Sequence, residues 1–155
     1  MPNHAPERSS RDLSVRGSIP EGKRLSVLLV VCLAASLLHF AHNAEFLDDY
    51  PNLPYWLTRS QVYLTWTGLT AIGVGGFVLY LRRWPSVGLL LMGLYAVMGF
   101  DGLLHYSRAR FHAHTAAMNF TIWFEVIAAA ALLVAVLFAA VKRIHGRFID
   151  ASTIN

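Results

Sequence analysis

Four long apolar segments alternate with short polar stretches along the chain. They run from about residue 25 to 47, 60 to 81, 84 to 105 and 115 to 141. Each contains 22 residues or more, and a helix needs about 20 apolar residues to cross the hydrocarbon core of a bilayer. The pattern therefore predicts an all-α protein, an integral membrane four-helix bundle.

Polar tails flank the apolar region. Residues 1–24 are rich in Ser, Arg, Pro and Gly, a composition typical of a disordered tail. Residues 25–143 form the predicted transmembrane domain, and residues 144–155 form a second short tail. Because the first apolar segment follows a long polar stretch and continues past its small residues, we expect it to stay attached rather than be removed as a signal peptide.

Lys and Arg are distributed unevenly between the ends of the segments. With the N-terminus inside, Arg59, Arg108 and Arg110 lie outside, and the other ten of the 13 basic residues lie inside. Basic residues accumulate on the cytoplasmic side of membrane proteins. The bias predicts a multi-pass protein of the cell membrane with both termini cytoplasmic, and Tyr50 and Trp56 are expected to mark the outer interface.

The composition agrees with a membrane protein. The chain is 55% hydrophobic and 14% charged, whereas soluble domains carry about 25% charged residues. Its net charge is +4, but the basic residues flank the segments instead of forming one patch, which argues against a nucleic-acid partner. The single cysteine, Cys32, excludes an intramolecular disulfide and a cysteine-based zinc site.

Ionisable side chains are concentrated in the outer parts of the first, third and fourth segments. Exposing such a group to lipid costs about 2.5–3.5 kcal/mol or more, so these side chains are expected to face the bundle interior. Residues three or four positions apart share one face of a helix, which predicts three facing stripes. The candidate site residues on these stripes are His39, His42, Asp101, His105, His114 and Glu125.

Imidazole and carboxylate groups together are typical ligands of Zn, Fe and Cu. We therefore expect the six candidates to bind a metal ion, Cu, Fe or Zn. Asp101, His105 and a later histidine resemble, over three residues, the copper site of the membrane-bound methane and ammonia monooxygenases, which implies a ligand type. The small four-helix format with buried carboxylates and histidines is similar to that of sterol isomerases of the emopamil-binding class.

The expected function is that of a small metal-binding membrane protein, acting as a metalloenzyme or in metal handling, with its site facing the extracytoplasmic side. Three alternatives remain open. In the first, the chain is a non-catalytic subunit or assembly partner of a membrane complex. In the second it is a proton-coupled transporter, and in the third a bis-histidine haem b protein that uses His39 or His42 with His105 or His114. With no HExxH motif, desaturase-type histidine boxes or phosphate-binding glycine loop, the sequence identifies neither a reaction nor a substrate.

Small residues give two helix faces on which another helix can pack closely. One lies in the fourth segment, at Ala131, Ala135 and Ala139, and the other in the second, at Ala71 and Gly75. Such faces favour close helix contacts in membranes. Besides the lipid bilayer, the expected partners are therefore a second copy of the chain or a membrane-complex subunit.

Overall fold

A computed structural model describes the backbone of residues 20–152 and the side chains of residues 20–146. Within this part the chain is helical and contains no β-strand. In chain order the helices are α1 (Glu21–Glu45), α2 (Arg59–Leu81), α3 (Pro85–Met98), α4 (Leu104–Arg108) and α5 (Ala116–Ser152). Four spans are long and apolar enough to cross a membrane: α1, α2, α3 together with α4, and α5 as far as Gly146. The predicted all-α architecture with four membrane-length segments is confirmed.

Helix α1 begins within the stretch that the sequence assigned to the tail. It starts at Glu21, whose carboxylate suits the positive end of the helix dipole. The Tyr80 hydroxyl donates a hydrogen bond to Glu21 at 2.8 Å, and the Lys142 ammonium lies 3.8 Å away. These contacts join α1, α2 and α5 at one end of the bundle, called the inner end here after the predicted topology. Residues 1–19 of the predicted tail lie outside the described residues, as do residues 153–155.

Helices α2 and α3 pack closely through glycine. A Cβ atom at Gly76 would stand 2.9 Å from the Met92 backbone nitrogen, and one at Gly88 would collide with the Tyr80 backbone. At the other end of α2, Thr58 and Gln61 form a capping box, in which each side chain accepts a hydrogen bond from the other residue's backbone N–H. The two helices therefore form a closely packed hairpin, and the capping box fixes where α2 begins.

The inner half of the bundle has an apolar core. Leu25 and Leu29 of α1, Met92 of α3, and Leu132 and Val136 of α5 are all buried there. Apart from Ser36, the buried polar residues of the described chain all lie nearer the outer end. They are His39 in α1, His105 in α4, His114 just before α5, and Thr121 and Glu125 in α5. The bundle thus has an apolar core in its inner half and a polar region nearer its outer end.

The third segment is interrupted, which differs from the continuous helix predicted for residues 84–105. Helix α3 ends at Met98, a 3-10 turn covers Asp101–Leu103, and α4 follows. Gly99 packs against α5 so closely that a Cβ atom there would lie 2.7 Å from the Ala129 Cβ. The break brings the chain near α5, and Met98, the last residue of α3, is 37% exposed.

The fourth segment also differs at both ends from the predicted range of 115–141. Helix α5 begins at Ala116 and continues to Ser152, so it extends into the predicted C-terminal tail. His114 lies just before the helix, after the 3-10 turn Phe111–Ala113. It is nevertheless 6% exposed, so a loop residue contributes to the buried polar region.

Candidate functional site

His39 and Glu125 form the centre of the polar region. The His39 Nε2 atom lies 3.7 Å from Glu125 Oε2, and the two side chains are 2% and 1% exposed. His39 comes from the outer half of α1, and Glu125 lies on the buried stripe of α5 with Met118 and Thr121. The sequence spacing correctly predicted that these two stripes face each other.

Thr121 determines which nitrogen of His39 carries the proton. Its hydroxyl donates a hydrogen bond to the Met118 carbonyl at 3.0 Å, as serine and threonine often do in helices. The Thr121 oxygen is therefore left as an acceptor for His39 Nδ1, 3.4 Å away. In neutral imidazole one nitrogen is a donor and the other an acceptor. His39 Nε2 thus presents a lone pair towards Glu125.

Glu125 has no hydrogen-bond partner for either carboxylate oxygen among the residues described. A buried carboxylate without a partner is costly, and here one of its oxygens faces the lone pair of His39. Gly102 leaves open space beside both groups. A Cβ atom at Gly102 would stand 3.6 Å from His39 Nε2 and 3.7 Å from Glu125 Oε2. The glycine backbone thus lines the gap next to the two facing acceptors.

His105 lies beside this pair. It is 8% exposed, and its ring centroid is 5.5 Å from that of His39. Its Nε2 atom is 3.1 Å from the Asn43 amide, while its Nδ1 atom has no partner in the described part of the chain. One ring nitrogen is therefore oriented by Asn43 and the other remains available.

His114 extends the cluster outwards. Its ring centroid is 6.2 Å from that of His105. The Nδ1–H group donates a hydrogen bond to the Arg110 carbonyl at 3.2 Å, so Nε2 keeps its lone pair, and it has no partner within residues 20–146. A backbone carbonyl that orients one imidazole nitrogen is a frequent arrangement around histidine ligands.

The other two predicted site residues lie at the edge of the cluster. Asp101, in the 3-10 turn, has one carboxylate oxygen without a partner among the described side chains and backbone. His42 is half-buried, and its Nδ1 atom is 2.9 Å from the Tyr50 hydroxyl. The tyrosine, rather than the rest of the cluster, is therefore the nearest polar partner of His42.

Tyr50 was expected at the membrane interface, but it is 3% exposed. Its ring lies over His105, with centroids 4.9 Å apart. Burial raises the pKa of Tyr50 to about 12, so its neutral hydroxyl donates to His42 Nδ1. No periodic pattern marks Tyr50 in the sequence, because it follows the short 3-10 turn Leu47–Asp49 instead of lying on a helix.

A cavity of about 240 Å³ reaches the cluster from the side. Its polar lining includes His39, Asn43, Asp101 and His105. Within the residues described, no three His, Cys, Asp or Glu side chains are already arranged as a metal-binding group. The structure therefore brings His39, His105, His114 and Glu125 together without closing them into a coordination sphere.

Comparisons with known proteins give no relative. No protein family matches the chain, and neither the curated proteins nor the solved structures contain a match.

Proposed function

We propose that the protein is a metalloenzyme whose buried site binds Zn²⁺ or Fe²⁺ through His39, His105 and Glu125. The observation that carries this proposal is the contact between His39 Nε2 and Glu125 Oε2, 3.7 Å apart. Both atoms are hydrogen-bond acceptors, because Thr121 holds the proton of His39 on Nδ1. Two buried acceptors that face each other are satisfied by a proton on the carboxyl group or by a metal ion, and the neighbouring His105 supports the metal ion as the proposal.

The distance also suits a shared metal ion. Ligand atoms about 2.1 Å from one tetrahedral ion are separated by roughly 3.4 Å. The 3.7 Å between the two acceptor atoms therefore needs a shift of only a few tenths of an ångström to match. At metal sites, a hydrogen bond to the other ring nitrogen fixes the tautomer of a histidine ligand, and the contact between Thr121 and His39 Nδ1 would do this here.

His105 is the third proposed ligand, through its free Nδ1 atom. This requires the Asn43 amide to present its oxygen to His105 Nε2–H, leaving the lone pair on Nδ1. Asn43 has one amide atom, Oδ1, without a partner among the described residues, and the two amide orientations are related by a simple flip. His105 would then offer its Nδ1 lone pair to an ion beside His39, whose ring centroid is 5.5 Å from that of His105.

Two histidines and one carboxylate form a ligand set used by catalytic zinc sites and by non-haem iron oxygenases. A bound ion of this kind would act as a Lewis acid or as a redox centre, depending on the metal. The residues themselves would orient the site and exclude bulk water. The neighbouring cavity favours catalysis over metal handling, because it offers space for a substrate next to the ligands.

The alternative functions have less support. A proton-coupled transporter needs a polar route through the bundle, whereas the inner half around Leu25, Met92 and Leu132 is packed with apolar side chains. A haem would need a larger space, since the cavity holds about 240 Å³ and even drug-sized ligands occupy pockets of roughly 300–1,000 Å³. A purely structural network would leave the buried His114 Nε2 atom without a partner among the described residues, at a cost.

Elemental analysis and absorption spectroscopy of protein purified in lipid nanodiscs test the proposal. We expect near-stoichiometric Zn or Fe in the natural protein after reconstitution. Glu125→Gln keeps the size of the side chain but removes a charged ligand, and it should lose most of the metal. His112→Ala is the matched control, because this exposed histidine belongs to the outer loop and should not alter occupancy.

A metal-free protein after reconstitution with either ion would overturn the proposal. Unchanged metal content in Glu125→Gln would do the same for the assigned ligands. A haem Soret band would replace the proposal with the haem alternative.

A further inference from the structure

The cavity beside the cluster has a polar floor and apolar walls. His39, Asp101 and His105 lie at its inner end, and Phe40, Leu57 and Val62 line its sides. At about 30 Å³ for each water-sized volume, the 240 Å³ of the cavity accommodates roughly eight non-hydrogen atoms. The cavity can therefore accept a small molecule or the head of a longer one.

Exposed lining residues mark the mouth of the cavity. Thr65 of α2 and Leu104 of α4 both line the cavity and are exposed. Both belong to helices that are apolar enough to span a membrane, so the mouth between them faces the bilayer. A chain too long for the cavity can thus extend through this mouth into lipid.

The outer loop covers the cavity from the predicted aqueous side. Leu53 and Leu57 belong to its lining, and the Asn52 amide donates a hydrogen bond to the Arg108 carbonyl at 2.8 Å. This bond ties the loop to α4. The loop thus narrows the cavity on this side, where Trp56 and Arg108 of the lining are exposed, and leaves open the mouth at Thr65 and Leu104.

The polar atoms of the floor specify the head group. Asp101 Oδ1 is an acceptor that lacks a partner in the described chain. With the Asn43 amide flipped as proposed above, the Asn43 atom without a partner is the Nδ2 donor. A group that both donates and accepts hydrogen bonds satisfies them together. A hydroxyl does so, whereas a carboxylate has no proton to donate to Asp101. An ammonium donates but cannot accept, so it would leave the Asn43 donor without a partner.

We infer that the cavity binds the hydroxyl end of a long-chain lipid alcohol, whose chain leaves between Thr65 and Leu104. This inference rests on the proposed metalloenzyme, for which the alcohol would be a substrate or product. It adds a substrate class and an entry route from the outer leaflet. The hydroxyl lies against Asp101 and Asn43, next to the gap between His39 and Glu125.

A photoreactive probe tests the inference. The probe is a long-chain primary alcohol with a diazirine a few carbons from the hydroxyl, added to the protein in nanodiscs of phosphatidylcholine. Its control is the same molecule as the methyl ether, which keeps the oxygen but cannot donate a hydrogen bond. We expect crosslinks to the cavity walls, with the alcohol favoured about fivefold, the ratio that one ordinary hydrogen bond gives.

Two tryptophan variants separate the mouth from general lipid contact. Thr65→Trp blocks the mouth and should remove the preference for the alcohol. Leu64→Trp is the matched control, because Leu64 is the neighbouring residue, is 70% exposed and does not line the cavity. Equal labelling by alcohol and ether, or an unchanged preference in Thr65→Trp, overturns the inference.

Metal content measured on the same samples distinguishes the two proposals. Alcohol-dependent labelling of metal-free protein supports the cavity assignment while refuting the metal. Metal-loaded protein that shows no preference for the alcohol overturns the cavity assignment while leaving the metal site in place.

Discussion

The ring of Tyr50 covers His105, with the two ring centroids 4.9 Å apart. The tyrosine lies in the outer loop and is 3% exposed, so it separates the buried histidine from the outer end of the bundle. Its hydroxyl is anchored by His42 at 2.9 Å. The outer side of the candidate site is therefore closed by one aromatic side chain.

Removing this cover should open the site to water. In Tyr50→Ala we expect the bound metal to be lost to an external, membrane-impermeant chelator much faster than in the natural protein. Tyr50→Phe keeps the ring and loses one hydrogen bond, so it should cost about 1 kcal/mol of stability with little change in chelation rate. Stopped-flow chelation measures the rate of metal loss, and chemical unfolding measures the stability. Equal rates in all three proteins would show that the ring does not shield the site.

Tyr50 also predicts a dependence of stability on high pH. Its pKa is raised by burial from 10.0 to about 12, so between these values the folded protein binds more protons than the unfolded chain. The contribution of Tyr50 to stability is fully present below pH 10 and is lost as the pH rises towards 12. Thermal unfolding from pH 9 to 12 should therefore show a steeper loss in the natural protein than in Tyr50→Phe. Parallel curves would argue against a buried neutral hydroxyl.

Gly102→Ala tests the gap beside His39 and Glu125. The added methyl group would lie at ordinary contact distances of 3.6 and 3.7 Å from the two acceptor atoms, so the fold should tolerate it. Because it occupies the space in front of them, metal occupancy should fall strongly while the melting temperature changes little. Gly75→Ala is the control, since its methyl group would meet nothing within 4 Å. Full occupancy in Gly102→Ala would place the ion elsewhere.

Acid should release the metal. A histidine ligand must be neutral, and protons compete for its lone pair around the ordinary imidazole pKa of about 6.5. Because His39 and His105 are 2% and 8% exposed, their protonation also requires charging a buried ring, so we expect release well below that ordinary value and return of the metal on neutralisation if the protein stays folded. Equilibrium dialysis with elemental analysis measures this, with helical circular dichroism as the check on folding. Occupancy that stays unchanged until the protein unfolds in acid would contradict histidine ligation.

The sidedness of the site follows from the uneven distribution of Lys and Arg and needs its own measurement. Reporter fusions at the C-terminal Asn155 and within the loop between Asn52 and Arg59 should report opposite sides of the membrane, with Asn155 cytoplasmic. An extracytoplasmic C-terminus would reverse the predicted orientation and place the cluster on the cytoplasmic side.

Helical periodicity predicted the parts of the site that lie on long helices. His39 and Glu125 belong to the regular stripes of α1 and α5, and both are buried where the spacing placed them. The pattern could not show the break between α3 and α4, because apolar residues continue through it. That break depends on the close packing of Gly99 against Ala129, which is a property of the assembled bundle.

The loops carry the features that periodicity missed. Tyr50 is buried although its sequence neighbours Asp48 and Asp49 are exposed. Gly102 matters through the side chain that it lacks, and a single sequence gives no signal for such a gap. The tautomer of His39 likewise depends on Thr121, 82 positions away.

The contact between His39 and Glu125 joins the first membrane-length helix to the last. In the proposed membrane topology, α1 is synthesised and inserted long before α5, so His39 has no carboxylate partner until the last helix is in place. The pair is therefore completed only when α5 packs against α1, and an ion held by it would be bound after translation.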